Sequence, residues 1–147
     1  METIVKTHIG SYGIMIKDEK IALVKKARGG YKGKLDLPGG GIEHTELPEE
    51  TLKREIMEEV GVNLTSYYLL DVVATNIKWK MEKDLWEDLH HIGVLYVVKN
   101  NETILKNDED GLDSAGANWY NISELKKEDL SPFTILALEK MNYNIKL

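Results

Sequence analysis

The sequence predicts an α/β/α sandwich with a mixed central sheet between helices. Two observations carry that expectation. Apolar runs rich in β-formers alternate with turn-forming clusters along most of the chain. Among them stand two helical patterns, one over Pro48–Val60 and one opened by Ser131-Pro132. The length of 147 residues suits one domain over residues 1–147. Folding at this size would bury roughly 70% of the extended chain's surface, enough for a core without staples.

The elements follow in order. Ile14-Met15-Ile16 and Ile21-Ala22-Leu23-Val24 read as strands flanking Lys17-Asp18-Glu19-Lys20, a hairpin with a four-residue connection. A glycine-rich loop over 28–34 leads into a short strand, Leu35-Asp36-Leu37, which Pro38-Gly39-Gly40-Gly41 is expected to break. Pro48 is tolerated at a first helical position, and Glu49 and Glu50 suit the positive end of a helix dipole. Leu52, Ile56 and Val60 recur at four-residue steps as the buried stripe, and Gly61 supplies the stop. Residues 67–75 and 92–98 read as strands, with the charged segment 81–88 as a loop between them and 107–116 as an acidic turn. Ile135, Leu136, Leu138 and Met141 form the apolar face of the last helix.

Composition excludes several classes. With no cysteine, disulfide scaffolds and thiolate metal sites are out. No apolar run reaches the ~20 residues of a membrane-spanning helix, and residues 1–8 lack a signal-peptide pattern, so the expected location is the cytoplasm. A net charge of −6 argues against nonspecific binding to duplex nucleic acid. The sequence leaves the oligomeric state open between a monomer and a homodimer.

The chemistry concentrates in Arg54-Glu55-Ile56-Met57-Glu58-Glu59-Val60-Gly61. Helical spacing stacks Glu55, Glu58 and Glu59 on one face. Such crowding destabilises a helix unless a cation lies between the carboxylates, and hard divalent cations take oxygen ligands. A solvated acidic face laced with Lys53 and Arg54 would show the same pattern.

The upstream context decides between these readings. Five residues separate Gly40 from Glu46 and seven separate Glu46 from Arg54; Glu55-Ile56, Glu58-Glu59 and Gly61-Val62 follow. This segment resembles the Nudix box, the signature of the Nudix hydrolases, at every fixed position. Seven fixed residue types and two aliphatics make a chance match rarer than about one in a million. The preceding hairpin, the 35–41 entry, Trp119 and Glu124-Leu125 also resemble the family's layout. Two departures lie outside the fixed positions. Asp36 occupies a variable position, and Thr45 replaces a frequent glycine before Glu46; either could alter the loop without touching the metal chemistry.

The resemblance implies that Glu55, Glu58 and Glu59, with the carbonyl of Gly39, ligate Mg²⁺ or Mn²⁺, Glu55 and Glu58 being counted as catalytic. It implies a structural ion pair between Glu46 and Arg54, with Gly40 and Gly61 as motif glycines. The cations would neutralise an anionic diphosphate and lower the pKa of a coordinated water. Asp113, six residues before Trp119, stands where some members carry an extra acid that binds metal or acts as base, with Glu87 its competitor. For the substrate itself, Arg28, Trp79 and His91 are the candidate contacts. A solvated strand end, a core or rim aromatic, and a packed histidine are the respective structural alternatives. Trp119 matches a position that is commonly structural.

The implied function is metal-dependent hydrolysis of a phosphoanhydride bond in a small nucleotide. The substrate would be a nucleoside diphosphate linked to another moiety or, in a MutT-like pyrophosphatase, a nucleoside triphosphate. The alternative is a catalytically silent Nudix-like module that senses a nucleotide, but such a module is expected to lose a metal-binding glutamate. The proline of ADP-ribose-directed subfamilies is replaced by Ile77, and Lys78-Trp79-Lys80 stands where the dinucleoside polyphosphate group carries a tyrosine. The extended motifs of the NADH and coenzyme A groups are absent, which leaves the MutT-like type favoured.

Overall fold

The computed structural model describes residues 2–99 and 114–145. Within them the order is β1 (Glu2–Lys17), β2 (Lys20–Lys26), β3 (Leu35–Asp36), β4 (Gly39–Gly41), α1 (Pro48–Val60), β5 (Tyr67–Glu82), β6 (Leu85–Val98), β7 (Ser114–Asn121) and α2 (Pro132–Lys140). Two short 3₁₀ turns, Ile122–Glu124 and Lys127–Asp129, precede α2. The strands join in the order β3-β2-β1-β6-β5, with β7 on β2 and β4 on β1. The sheet is mixed because β1 runs parallel to β6 while its other pairings are antiparallel. No helix of the described residues is long and apolar enough to cross a membrane.

The central strands are buried on both faces, which explains their continuous apolar runs. Along β2, Ile21 and Leu23 enter one cluster, with Phe133, Ala137 and Leu138 of α2. Ala22 and Val24 enter the other, with Leu52, Ile56 and Val60 of α1. The same alternation sends Tyr12, Ile14 and Leu95 toward α2, and Met15, Tyr96 and Val98 toward α1. A period of two along each strand thus feeds two cores. The α/β/α expectation holds, and α1 keeps its expected bounds, with Gly61 in the left-handed region (φ 78°) as its cap.

Several local expectations are corrected. Lys17 and Lys20 pair across the hairpin, so its connection is the two residues Asp18 and Glu19, both at positive φ, as a right-twisted hairpin favours. β1 begins at Glu2 because its polar first half pairs with β6, and this pairing carries no local apolar signal. Segment 81–88 is not a loop. Its residues extend the β5–β6 hairpin, with Lys80 opposite Trp86 and Glu82 opposite Leu85. The strand of Leu35 and Asp36 does end before Pro38, as expected, but the glycines of 39–41 then form a strand of their own, pairing with Gly10, Ser11 and Tyr12. Of segment 107–116, residues 107–113 lie outside the described residues, and β7 already begins at Ser114.

On α2 the fully buried face is Phe133, Thr134, Ala137 and Leu138, whereas Ile135, Leu136 and Met141 only pack partly against that cluster. Phe133 leads because its ring lies over Gly93 of β6, where a Cβ would approach within 2.6 Å of it.

Thr45 stands in the left-handed region at φ 68°. A β-branched residue is disfavoured there by roughly 1–2 kcal/mol, whereas glycine adopts this conformation freely at some entropic cost. Thr45→Gly should therefore raise stability by roughly 1 kcal/mol, read from the urea midpoint at unchanged m-value.

Candidate active site

The site is built where β4 presses against α1. Gly39 takes φ 147°, and a Cβ there would stand 2.1 Å from the Ser11 carbonyl oxygen. A Cβ on Gly40 would meet the Glu55 carboxylate at 2.5 Å. Glycine at 39 lets β4 lie close against β1, and glycine at 40 lets the backbone approach the helix's acidic face closely. The Gly39 N–H donates to Glu59 Oε1 at 2.7 Å.

Arg54 ties the loop before α1 to the helix. Its Nε–H donates to Glu46 Oε2 at 2.8 Å and its Nη2–H to Glu46 Oε1 at 2.9 Å, a two-point fork. Glu46 also accepts the Thr51 hydroxyl at 2.6 Å and the Glu43 N–H at 3.1 Å. The Arg54 bond, with Thr51 and Glu43 behind it, lowers the Glu46 pKa to about 2. The ion pair expected between Glu46 and Arg54 is thus present. Arg54 Nη1–H also donates to Glu55 Oε1 at 2.8 Å and lies 3.6 Å from Glu58 Oε2.

The three helix carboxylates share one region but not one partner. Glu59 is buried on the Gly39 amide, Glu55 is half-buried on Arg54, and Glu58 is exposed. Burial raises Glu59 to about 8, with the Glu55 charge adding to the rise and the Gly39 bond opposing it. Burial also raises Glu55, against the pull of Arg54. Among the described residues no three histidine, aspartate or glutamate side chains stand in metal-ligand geometry.

Beside this face opens a cleft of about 1020 Å³. Lys6, Lys26, Arg28, Lys32 and Lys80 bring positive charge to its lining, which also contains Asp36, Glu55 and Glu87. Lys26 acts on the most groups, its charge favouring the ionised forms of Asp36, Glu55 and Glu59. Asp36 is completely desolvated, which raises its pKa, while the Ser131 hydroxyl at 2.6 Å and the Leu37 N–H at 2.9 Å oppose the rise. This position does more than shape the loop, since its charge also helps to raise Glu59.

His91 closes the inner wall. Its Nε2 lies 2.7 Å from the Tyr12 hydroxyl and its Nδ1 2.9 Å from the Tyr31 hydroxyl. Phe133 packs at 4.2 Å between ring centroids, and Tyr31 stacks at 5.6 Å. Burial, with His8 and Lys26 nearby, lowers its pKa to about 3, so the ring is neutral at physiological pH. A neutral imidazole donates through one nitrogen and accepts through the other, which fixes one tyrosine as donor and one as acceptor.

The structure brings Gly40, Glu55, Arg28, Trp79 and His91 to one cleft. Gly39, Glu46, Arg54, Glu58, Glu59 and Gly61 belong to the adjoining β4–α1 unit. Asp113 lies outside the described residues. Lys6, His8, Tyr12 and Tyr31 have no motif of their own and escape sequence reasoning. The first three enter through the parallel β1–β6 register, which sets His8 beside His91.

The two strand glycines should respond differently to alanine. Gly39→Ala meets backbone at positive φ and should lower stability by more than about 2 kcal/mol. Gly40→Ala meets only the end of a side chain that can swing aside, so its loss should stay below about 1 kcal/mol. Urea unfolding of both variants checks the contrast.

Comparison with known proteins agrees with this construction. The family model of the NUDIX domain matches residues 7–140. The chain is 36% identical over 70 residues to the 8-oxo-dGTP diphosphatase of Proteus vulgaris, covering 47% of this chain and 62% of that protein. It is 48% identical over 50 residues to the ADP-ribose pyrophosphatase of Methanocaldococcus jannaschii, covering 34% of this chain and 30% of that one. Both matches span less than two thirds of the relative's own length. The fold superposes on the MutT NUDIX hydrolase from Burkholderia pseudomallei with a TM-score of 0.74 at 25% identity, over 92% of this chain and 98% of that one. With residues 7–140 matched by the family model, the chain belongs to the NUDIX domain family.

Proposed function

We propose that the chain hydrolyses a phosphoanhydride bond in a nucleoside diphosphate linked to another moiety, or in a nucleoside triphosphate, with a divalent cation such as Mg²⁺ or Mn²⁺. The observation that carries this reading is the carboxylate face of α1 meeting a cleft whose wall is basic in a protein of net charge −6. A negatively charged protein repels an anionic substrate overall, so local positive charge must gather it.

The donor set fits a hard cation in chemistry. It consists of the glutamate oxygens of Glu55, Glu58 and Glu59, with the Gly39 carbonyl; burial raises the pKa values of Glu55 and Glu59, and the neighbouring charges of Glu58 on Glu55 and of Glu55 on Glu59 add to the rise. Once bound, such a cation supplies charge neutralisation and an acidified water. The chain's own residues do the rest. The Glu46–Arg54 fork holds the β4–α1 loop so that Glu55 and Glu58 keep their places on the helix. Lys26 and Arg28 meet the phosphates from the opposite wall. Asp113 remains our proposed acid outside the helix, as base or additional ligand. The names of the two curated relatives, one directed to 8-oxo-dGTP and one to ADP-ribose, support both substrate types without choosing between them.

The test is a panel of nucleoside triphosphates, 8-oxo-dGTP, ADP-ribose and sugar nucleotides with Mg²⁺ or Mn²⁺, reading phosphate and pyrophosphate separately. Turnover of none of them, with binding retained, would favour the silent sensing module instead. Glu58→Gln removes one charge from an exposed side chain and should lower kcat on the best substrate by roughly 10²-fold with the fold intact. Full activity in that variant would remove Glu58 from the proposed ligand set.

Stability should also depend on pH and metal. Glu59 rises from an ordinary 4.5 to about 8 on folding, so the folded chain holds that proton more tightly. Its contribution is full below pH 4.5 and is lost as the pH rises through 8. Thermal melts without divalent cation should therefore show this stability declining across that range. Mg²⁺ should flatten the decline by giving the ionised form a partner, and melts with and without the cation measure the difference.

A further inference from the structure

We propose that Glu87 is a specificity-determining residue, receiving a pair of adjacent O–H or N–H donors at the end of the substrate remote from the α1 carboxylates. The proposal rests on the nucleotide-hydrolase reading above and deepens it by naming what the far end of the cleft recognises.

Glu87 is only 8% exposed, yet it lines the cleft. One of its oxygens accepts the Trp79 indole N–H at 2.8 Å. Among the described residues no other hydrogen bond or ion pair reaches the carboxylate, and its second oxygen is not fully enclosed, in a residue that lines the cleft. Desolvating a carboxylate against one neutral donor is costly. Holding an indole N–H in place requires only a single neutral acceptor. A carboxylate exceeds that need and leaves acceptor capacity facing the ligand space.

The position separates Glu87 from the chemistry at α1. Glu87 pairs with Ile4 on β1, whereas Gly40 pairs with Ser11. Those seven residues correspond to roughly 23 Å of strand. A carboxylate that far along the sheet is no base for a phosphorus held beside Glu55, which sets aside the catalytic role weighed for Glu87 against Asp113. It is well placed for the opposite end of an extended ligand.

The chemistry narrows that end. An ionised carboxylate only accepts, so it rejects phosphate and carbonyl edges and receives paired donors. Two groups in nucleotide derivatives present such a pair: the N1–H and exocyclic amine of guanine, and the vicinal diol of a sugar. Trp79 forms the wall beside them. Its indole is fixed by Glu87 and by the loop backbone at Gly30, where a Cβ would come within 3.0 Å of the ring.

The experiment measures binding and turnover of two ligand pairs, each differing by one donor: GTP against ITP, and ADP-ribose against its 2″-deoxy analogue. Calorimetric titration with Mg²⁺ is run on the Glu58→Gln protein with and without Glu87→Gln, and kcat/KM on the parent and on Glu87→Gln alone. Glutamine keeps an acceptor for Trp79 and presents a donor where the second oxygen stood. One pair should show at least about a 10-fold preference for its donor-rich member, which Glu87→Gln collapses to below about 2-fold at nearly unchanged Tm. The pair that responds identifies base or sugar. Preferences surviving in Glu87→Gln, no preference in the parent, or no binding of any of the four ligands would each overturn the proposal. A Glu87-dependent binding preference without hydrolysis would sustain it while removing the catalytic reading.

Discussion

The closeness of β4 to α1 is the constraint on which the site depends. The Gly39 amide reaches Glu59 at 2.7 Å, and the space a Cβ would take on Gly40 belongs to the Glu55 carboxylate. A side chain on Gly39 would push the strand off β1, and one on Gly40 would make the Glu55 carboxylate swing aside. The approach also draws Glu59 out of water and thereby raises its pKa. The Glu46–Arg54 fork maintains this geometry from the other side by anchoring the connecting loop. The strained backbone at Thr45 lies within that same loop, between the glycine strand and the helix.

The second organising feature is the parallel pairing of β1 with β6. It places His8 beside His91 and Tyr12 beside Leu95, and it carries the polar first half of β1 along the cleft. Because the sheet is covered on both faces farther along, the alternation that fills two cores there delivers cleft-lining side chains here. His91 shows the result. Among Tyr12, Tyr31 and Phe133, its ring is held neutral between two hydroxyls.

Charge is distributed with matching economy. The protein is acidic overall, yet the cleft receives five cationic side chains, and Lys26 acts on three separate carboxylates. Net charge therefore describes the surface a distant partner meets, while the cleft presents an anion with a different local field.

The sequence by itself determined the parts whose cause is local. Helix α1 follows from Pro48, the four-residue apolar step and Gly61, and the box spacing singles out Glu46, Arg54 and the three helix glutamates before any fold is known. Both helices and the hairpin of β1 and β2 were legible for the same reason. Only the tertiary structure decided the rest. The charged 81–88 segment pairs because a strand across from it satisfies its backbone, and the glycines of 39–41 pair because β1 offers a free edge. Tyr12, Tyr31 and His91 meet across 60 and 79 residues, and no spacing in the chain encodes that meeting. Backbone pairing and desolvation depend on which distant groups arrive, whereas helical spacing and caps are written within a few neighbouring residues.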